Sequence, residues 1–370
     1  MLDEAKLSVP GEFDVVGYEL PPIVGDWTAT DWPDPDSERL TTLREEFAID
    51  EVVAGAESEF EALLALKRWV RSRWDHGWSR AFSTVKDGLD ILREAARGEQ
   101  FTCGFYGTVF VDCAIALGFP ARKVGVGLCD CSFPRDHRVG NVGHSVAEAW
   151  CNEHAKWIMF DPDLNVHYER DGVPLSALEV GDAWLSGAAD EVAMVEDEPA
   201  FVNPTGACLE VLGELYPELV EDSEERMALN FERFGRHRVL DYFARLRIGG
   251  LEWLDARCPP TFVRHFEPSG GARYTTHVPD LYPSVNLVSL GAAPSWDAEG
   301  ASLAITLEHC MPWFERYEAR VDAGAWESRE ESFAWPMREG INVLECRAVN
   351  RRGHAGPISR LEVAYARARW

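Results

Sequence analysis

The stretch "EQFTCGFYGTVFVDCAIALGFPAR", residues 99–122, decides how this chain is read. Tyr106, Phe110, Cys113 and Leu117 fall at three- and four-residue steps, which predicts a helix from about residue 104 to 117 with one apolar face. Gly118 and Pro120 end it. Cys103 stands at its mouth. Unpaired backbone N–H groups and the positive end of the helix dipole favour a thiolate there. The same N–H groups can receive an oxyanion when a carbonyl is attacked. Free cysteines are more often buried and inert, and Cys113, mid-helix on the apolar face, reads as one of those.

A nucleophilic thiol needs a base, and the base needs an orienting group. "HSVAEAW" (144–150) and "KWIMFD" (156–161) read as two strands around the polar turn "CNEH". Suppose Asn152 and Glu153 form a two-residue turn that pairs Cys151 with His154. His144 then lies directly opposite Asp161 on one face, with Cβ atoms roughly 5 Å apart. A four-residue turn centred on the same pair keeps that register, whereas a one-residue slip would break it. A carboxylate so placed holds the imidazole's tautomer while the other ring nitrogen faces the thiol. Cys103, His144 and Asp161 together make an acyl-transfer constellation.

"CGFYGTVFVDCAIALGFPAR", "GHSVAEAW" and "KWIMFDPD" resemble the core of the transglutaminase-like superfamily. That family shows a Cys opening a helix, a Gly-Phe-Pro-Ala-Arg type of exit, a His heading a strand with Glu-x-Trp, and a Trp-x-x-x-Asp-Pro strand. The resemblance implies Cys103 as nucleophile, His144 as general base and acid, and Asp161 as orienter. "RWDHGW" followed by "GLDILREAA" is similar to the family's Trp-Asp segment, which implies Trp74, or else Trp78, as an indole donor to the oxyanion. "DGVPLSALEVGD" resembles the family's continuation, so the likeness spans roughly residues 60–185. The chain departs from the pattern beside the nucleophile: Gly104 replaces a frequent aromatic, and Phe101-Thr102 replaces a frequent Gly-Gln.

Composition bounds the rest. Of 370 residues, 36 are Lys or Arg and 63 are Asp or Glu, a net charge of −27 that argues against nucleic acid and anionic membrane surfaces as partners. No apolar segment approaches the ~18 residues of a membrane span. "MLDEAKLSVPGEFDVVGYEL" carries acidic residues where a signal peptide is basic, and nine cysteines are too sparse for a disulfide scaffold. The expectation is a cytoplasmic protein. "DPDLN" (161–165) has the opening spacing of a calcium loop but lacks its Gly and Glu, so that reading fails. Cys129 and Cys131 with Cys151 and His154 lack the usual zinc spacing. His137 reads as an exposed loop residue, and Arg122 as an anchor of the helix exit.

The chain therefore reads as an α+β protein: a papain-like, transglutaminase-like core with a C-terminal immunoglobulin-like β-sandwich. Residues 1–48 are expected to be a strand-like N-terminal extension, 49–200 the catalytic core, 201–282 a helical or irregular connector, and 283–370 the sandwich. The expected function is thiol-dependent acyl transfer on a glutamine or peptide amide through a Cys103 thioester, resolved by an amine or by water. No cofactor or metal is expected. The partner is a protein or peptide substrate, and oligomeric state is left open. The alternative is a non-catalytic interaction protein built on the same core.

Overall fold

The computed structural model describes residues 11–127, 143–202, 214, 245–248, 251–253, 273–297 and 300–367. The chain divides into two compact units, Pro33–Tyr282 and Met1–Trp32 together with Pro283–Trp370. In chain order the elements are β1 (Gly11–Glu19), α1 (Glu38–Glu46), α2 (Ile49–Val53), α3 (Glu59–Arg71), α4 (Gly88–Ala95), α5 (Cys103–Leu117), β2 (Ala121–Gly127), β3 (Gly143–Cys151), β4 (Lys156–Asp161), β5 (Val166–Arg170), β6 (Val173–Pro174), α6 (Ala177–Ser186) and β7 (Ala193–Glu196). Then follow β8 (Arg245–Ile248), β9 (Leu251–Trp253), β10 (Arg273–Thr275), β11 (Val288–Asp297), β12 (Gly300–His309), β13 (Phe314–Val321), β14 (Glu327–Arg329), β15 (Ser332–Pro336), β16 (Gly340–Asn350) and β17 (Ser359–Arg367).

Pro33–Tyr282 is built on one sheet, ordered β10-β9-β8-β2-β3-β4-β5-β6, with β7 also paired to β5. Helix α5 is its central helix. Tyr106, Val109, Phe110, Cys113, Ala114, Ile115 and Ala116 are all nearly inaccessible, so the helix is apolar on more than the one face its periodicity suggests. Such a helix belongs inside a fold rather than on its surface. Gly118, with φ +95°, closes it in the left-handed conformation that glycine adopts without steric cost. Helix α3 buries Leu63, Leu66 and Val70 as the apolar stripe predicts, but ends at Arg71, leaving Trp74 beyond it. Helix α4 starts where Asp87 accepts a hydrogen bond from the Asp90 N–H.

Two expectations meet a different structure. Residues 38–46, expected to be extended, are helix α1, which buries Leu40 and Leu43; the prolines at 33 and 35 end before it begins. Within the expected connector, β8, β9 and β10 are strands of the central sheet. Most of the stretch read as helical there, 224–248, lies outside the described residues, as do Cys129, Cys131 and His137.

The second unit is a β-sandwich of two sheets, β1-β17-β16-β13-β14 and β11-β12-β15. Burial alternates along its strands: Leu303, Ile305 and Leu307 on β12, Leu344, Cys346 and Ala348 on β16, Leu361 and Val363 on β17. Each large apolar side chain buried this way contributes roughly 1.5–3 kcal/mol. Strand β1, from the N-terminal segment, pairs antiparallel with β17, Val15 opposite Val363. In the turn after β16, a Cβ on Gly356 would come 2.0 Å from the Asn286 carbonyl oxygen, so only glycine fits there.

Candidate active site

Helix α5 places Cys103 at its first residue, after Thr102 at the cap position. The amide of a first helical residue has no partner within the helix. Strand β3 brings His144, buried at 4% exposure, to that thiol. His144 Nε2 donates to Asp161 Oδ2 over 2.6 Å, and the imidazole is also hydrogen bonded to Cys103. Because Nε2 is taken by the carboxylate, Nδ1 is the nitrogen left for the sulfur. Asp161 is fully buried, and its Oδ1 accepts the backbone N–H groups of Asp163 (3.1 Å) and Leu164 (3.0 Å). Burial alone would lower the His144 imidazolium. The Asp161 charge and hydrogen bond, joined by Cys103, outweigh it and hold the group well above its ordinary value.

The three residues meet through a register other than the expected one. Cys151 pairs with Lys156 and Glu148 with Met159, across a four-residue loop, 152–155, in place of a two-residue turn. The Asn152 amide and side chain are instead bound by Glu59 at 2.7 and 2.9 Å, and Ala155 turns the chain with φ +48°. Carried along β3 and β4, this register sets His144 across from position 163, with Asp161 two pairs inward, across from position 146. The shift is by two residues, so His144 and Asp161 keep the same face and the contact forms diagonally.

Trp74 does not offer its indole N–H to an oxyanion. That group donates to the Phe101 carbonyl at 3.1 Å, and an indole has a single donor. The Gly77 N–H reaches the same carbonyl at 3.2 Å. The Trp74 ring packs on Tyr106 at 4.3 Å, and the Trp74 carbonyl accepts the Tyr106 hydroxyl (2.6 Å) and Arg71 (2.8 Å). Trp74 thus ties the segment before α4 to the start of α5. Arg122 anchors the helix exit as expected: it donates to Glu148 Oε2 at 2.8 and 3.1 Å and lies over the Trp157 and Tyr282 rings.

Residues 47–162 match the family model of the transglutaminase-like superfamily. This region is a transglutaminase-like core. No curated protein sequence matches the chain. Among solved structures, a presumptive cysteine protease from Cytophaga hutchinsonii aligns at 15% identity and TM-score 0.27, over 44% of this chain and 49% of that one. A structure described as a TGase aligns at 20% identity and TM-score 0.23, over 34% of this chain and 30% of the other. Red sea bream transglutaminase aligns at 11% identity and TM-score 0.26, over 97% of this chain and 77% of its own. The chain thus spans about half the length of the first and under a third of the second. No helix among the described residues is long and apolar enough to cross a membrane.

The transglutaminase-like core holds a second imidazole–carboxylate pair that the sequence reading missed. His76 Nδ1 lies 2.8 Å from both oxygens of Asp163. His76 is 8% exposed and Asp163 1%. Cys103 Sγ, a His144 ring nitrogen and an Asp163 carboxylate oxygen all lie within 4.8 Å of one another. The signals were "DHG" in the Trp-Asp segment and the second acid of "DPD", but nothing local joins residues so far apart. The failed calcium loop is also explained: Asp161 turns to His144, Asp163 to His76, and the Asn165 amide to the Asp197 and Pro199 carbonyls at 2.9 and 3.1 Å.

A strap of residues 197–201 is fastened beside this pair. Buried Lys67 bonds to Asp197 Oδ2 at 2.8 Å and to the Asn165 carbonyl at 3.1 Å. Burial lowers the Lys67 ammonium despite the Asp197 carboxylate. Arg71 donates to the Ala200 carbonyl at 2.9 Å, and the Phe201 ring meets His76 edge-on at 5.6 Å.

Proposed function

We propose that the transglutaminase-like core carries out acyl transfer on a glutamine or peptide amide, with Cys103, His144 and Asp161 as nucleophile, general acid–base and orienting group. The observation that carries this reading is the 2.6 Å His144–Asp161 bond behind an imidazole that itself bonds the thiol at the first residue of α5. The Cys103 thiolate adds to the amide carbonyl, and its own backbone N–H receives the oxyanion. The C–N bond breaks as the His144 imidazolium passes its proton to the departing amine, leaving a thioester. An incoming amine or water then gives a proton to His144 and expels the thiolate.

Cys103 differs from the other described thiols in its setting. Burial pushes Cys151 and Cys346 up to about 12, Cys310 to about 11, and Cys113 well above its ordinary value. The test is site-mapped alkylation by iodoacetamide against pH, with and without His144→Ala. The chain is then incubated with a glutamine peptide and a fluorescent primary amine. Rapid labelling of Cys103 below pH 7 that collapses in the variant supports the pair. Amine incorporation identifies a transferase, and release of ammonia or a cut peptide identifies a hydrolase. Labelling no faster than the buried thiols favours a non-catalytic interaction protein.

A further inference from the structure

We infer that Cys103, His144 and Asp163 form a site for a borderline-soft divalent cation, Zn²⁺, that reversibly caps the nucleophile. Their donor atoms all lie within 4.8 Å of one another, and bonds of about 2.0–2.3 Å to one tetrahedral ion would draw them in to roughly 3.5 Å. Thiolate, imidazole and carboxylate are the donor set that zinc takes, whereas calcium and magnesium take oxygen alone.

The surrounding groups set this cluster apart from a chance meeting of side chains. Metal-bound histidines hand their other ring nitrogen to a carboxylate, and bound carboxylates are themselves hydrogen bonded. Here Asp161 holds His144 through Nε2 at 2.6 Å, which leaves Nδ1 facing the cluster. His76 holds Asp163 at 2.8 Å. A single Nδ1–H spans both Asp163 oxygens and leaves lone pairs for a further bond. Cys103 is partly exposed, which provides an entry path and an open fourth position. One thiolate and one carboxylate balance a divalent charge. Binding releases one proton from the Cys103–His144 couple to solvent: the thiol proton if the couple is neutral, the imidazolium proton if it is an ion pair.

The site shares its thiol with the proposed acyl transfer but does not require that the thiol react. The experiment titrates chelator-treated protein with ZnCl₂ against a chromophoric chelator, and follows Cys103 alkylation with and without one equivalent of the ion. One ion per chain is expected, with submicromolar affinity and at least tenfold protection of Cys103. Asp163→Asn, which keeps an oxygen for His76, should weaken binding at least tenfold, and Cys103→Ser at least as much. Should either variant fold poorly, Co²⁺ added to the native chain gives the decisive reading. A sulfur-to-cobalt charge-transfer band that iodoacetamide treatment abolishes supports the site.

Binding that survives both variants, or that is lost in His154→Ala, assigns the ion elsewhere and overturns the proposal; Cys151, Glu153 and His154 are the other described cluster of this kind. No binding at ten micromolar also overturns it. Alkylation of the zinc-free protein separates the two readings. A fast thiol that zinc leaves unprotected refutes the metal site alone, and a slow thiol that binds zinc refutes acyl transfer alone.

Discussion

The two units bury polar groups in opposite ways. Every buried Lys, Arg, His, Asp or Glu among the described residues lies in Pro33–Tyr282: Lys67, Arg71, His76, Arg122, His144, Glu148, Asp161, Asp163 and His167. In Pro283–Trp370 the buried polar side chains are serines and asparagines, such as Asn286, Asn342 and Asn350. Buried charge is costly unless paired and hydrogen bonded, so a fold that carries this much of it has a reason beyond stability. The sandwich shows how the same chain builds a core without buried charged side chains among its described residues.

The comparison breaks first at the thiol. Cys103→Ala should abolish any amide turnover, by more than about a thousandfold, while leaving the fold intact, and a coupled amine-incorporation assay reads it. Residual activity near the native level would remove the reason for the buried charges. Glu148→Ala tests their cost. It strands Arg122 without its carboxylate partner and removes the acceptor of the Ala177 N–H and Tyr282 hydroxyl, each at 2.8 Å. A loss of about 3–5 kcal/mol is expected in hydrogen exchange of the β3 amides.

Asp112 sharpens the contrast, because it is a half-buried acid without an ion pair at close range among the described residues. Burial raises it to about 6, although the Gly88 N–H donates to it at 2.7 Å. The folded chain therefore holds a proton that the unfolded chain releases, and stability falls as pH rises from about 4 to 6. Asp112→Asn keeps an acceptor for Gly88 and should stabilise the unit at pH 7.5 by up to about 3 kcal/mol. The gain should vanish at pH 3.5. In the sandwich, Asn350→Ala removes the side-chain Oδ1 that accepts the Arg352 and His354 N–H groups at 3.0 and 3.1 Å. The expected cost there is about 1–3 kcal/mol, independent of pH.

The smallest effect is a shift in a pH profile. Asp161→Asn removes the charge that raises His144 and leaves the burial that lowers it. The alkaline limb of Cys103 alkylation attributable to the imidazolium should then move to lower pH. A limb that stays in place would take Asp161 out of the orienting role.

Much of the site was legible because its parts are local. A helix opened by cysteine and closed by Gly118, and strands whose alternation puts His144 and Asp161 on one parity, are short-range patterns. What escaped depends on distance or on an unusual backbone. Ala155 adopts positive φ without the glycine or asparagine that announces such a turn, so the turn was centred one residue too early. His76 and Asp163 are joined across 87 residues, and no periodicity reports that. Trp74 was recognised as a site tryptophan but its hydrogen bond to Phe101 depends on how two segments meet. The pairing of β1 with β17 lay at opposite ends of the chain.

That last pairing has a consequence for how the molecule is made. A ribosome releases Val15 long before its partner Val363, by roughly twenty to seventy seconds at ordinary rates of synthesis. We predict that Pro33–Tyr282 folds while the first strand still waits for its sheet. Nascent chains stalled near residue 300 should resist protease across that segment and be cut within Gly11–Glu19; the reverse pattern would refute this order. The sandwich would then close only once β17 has emerged and β1, long since made, can pair with it.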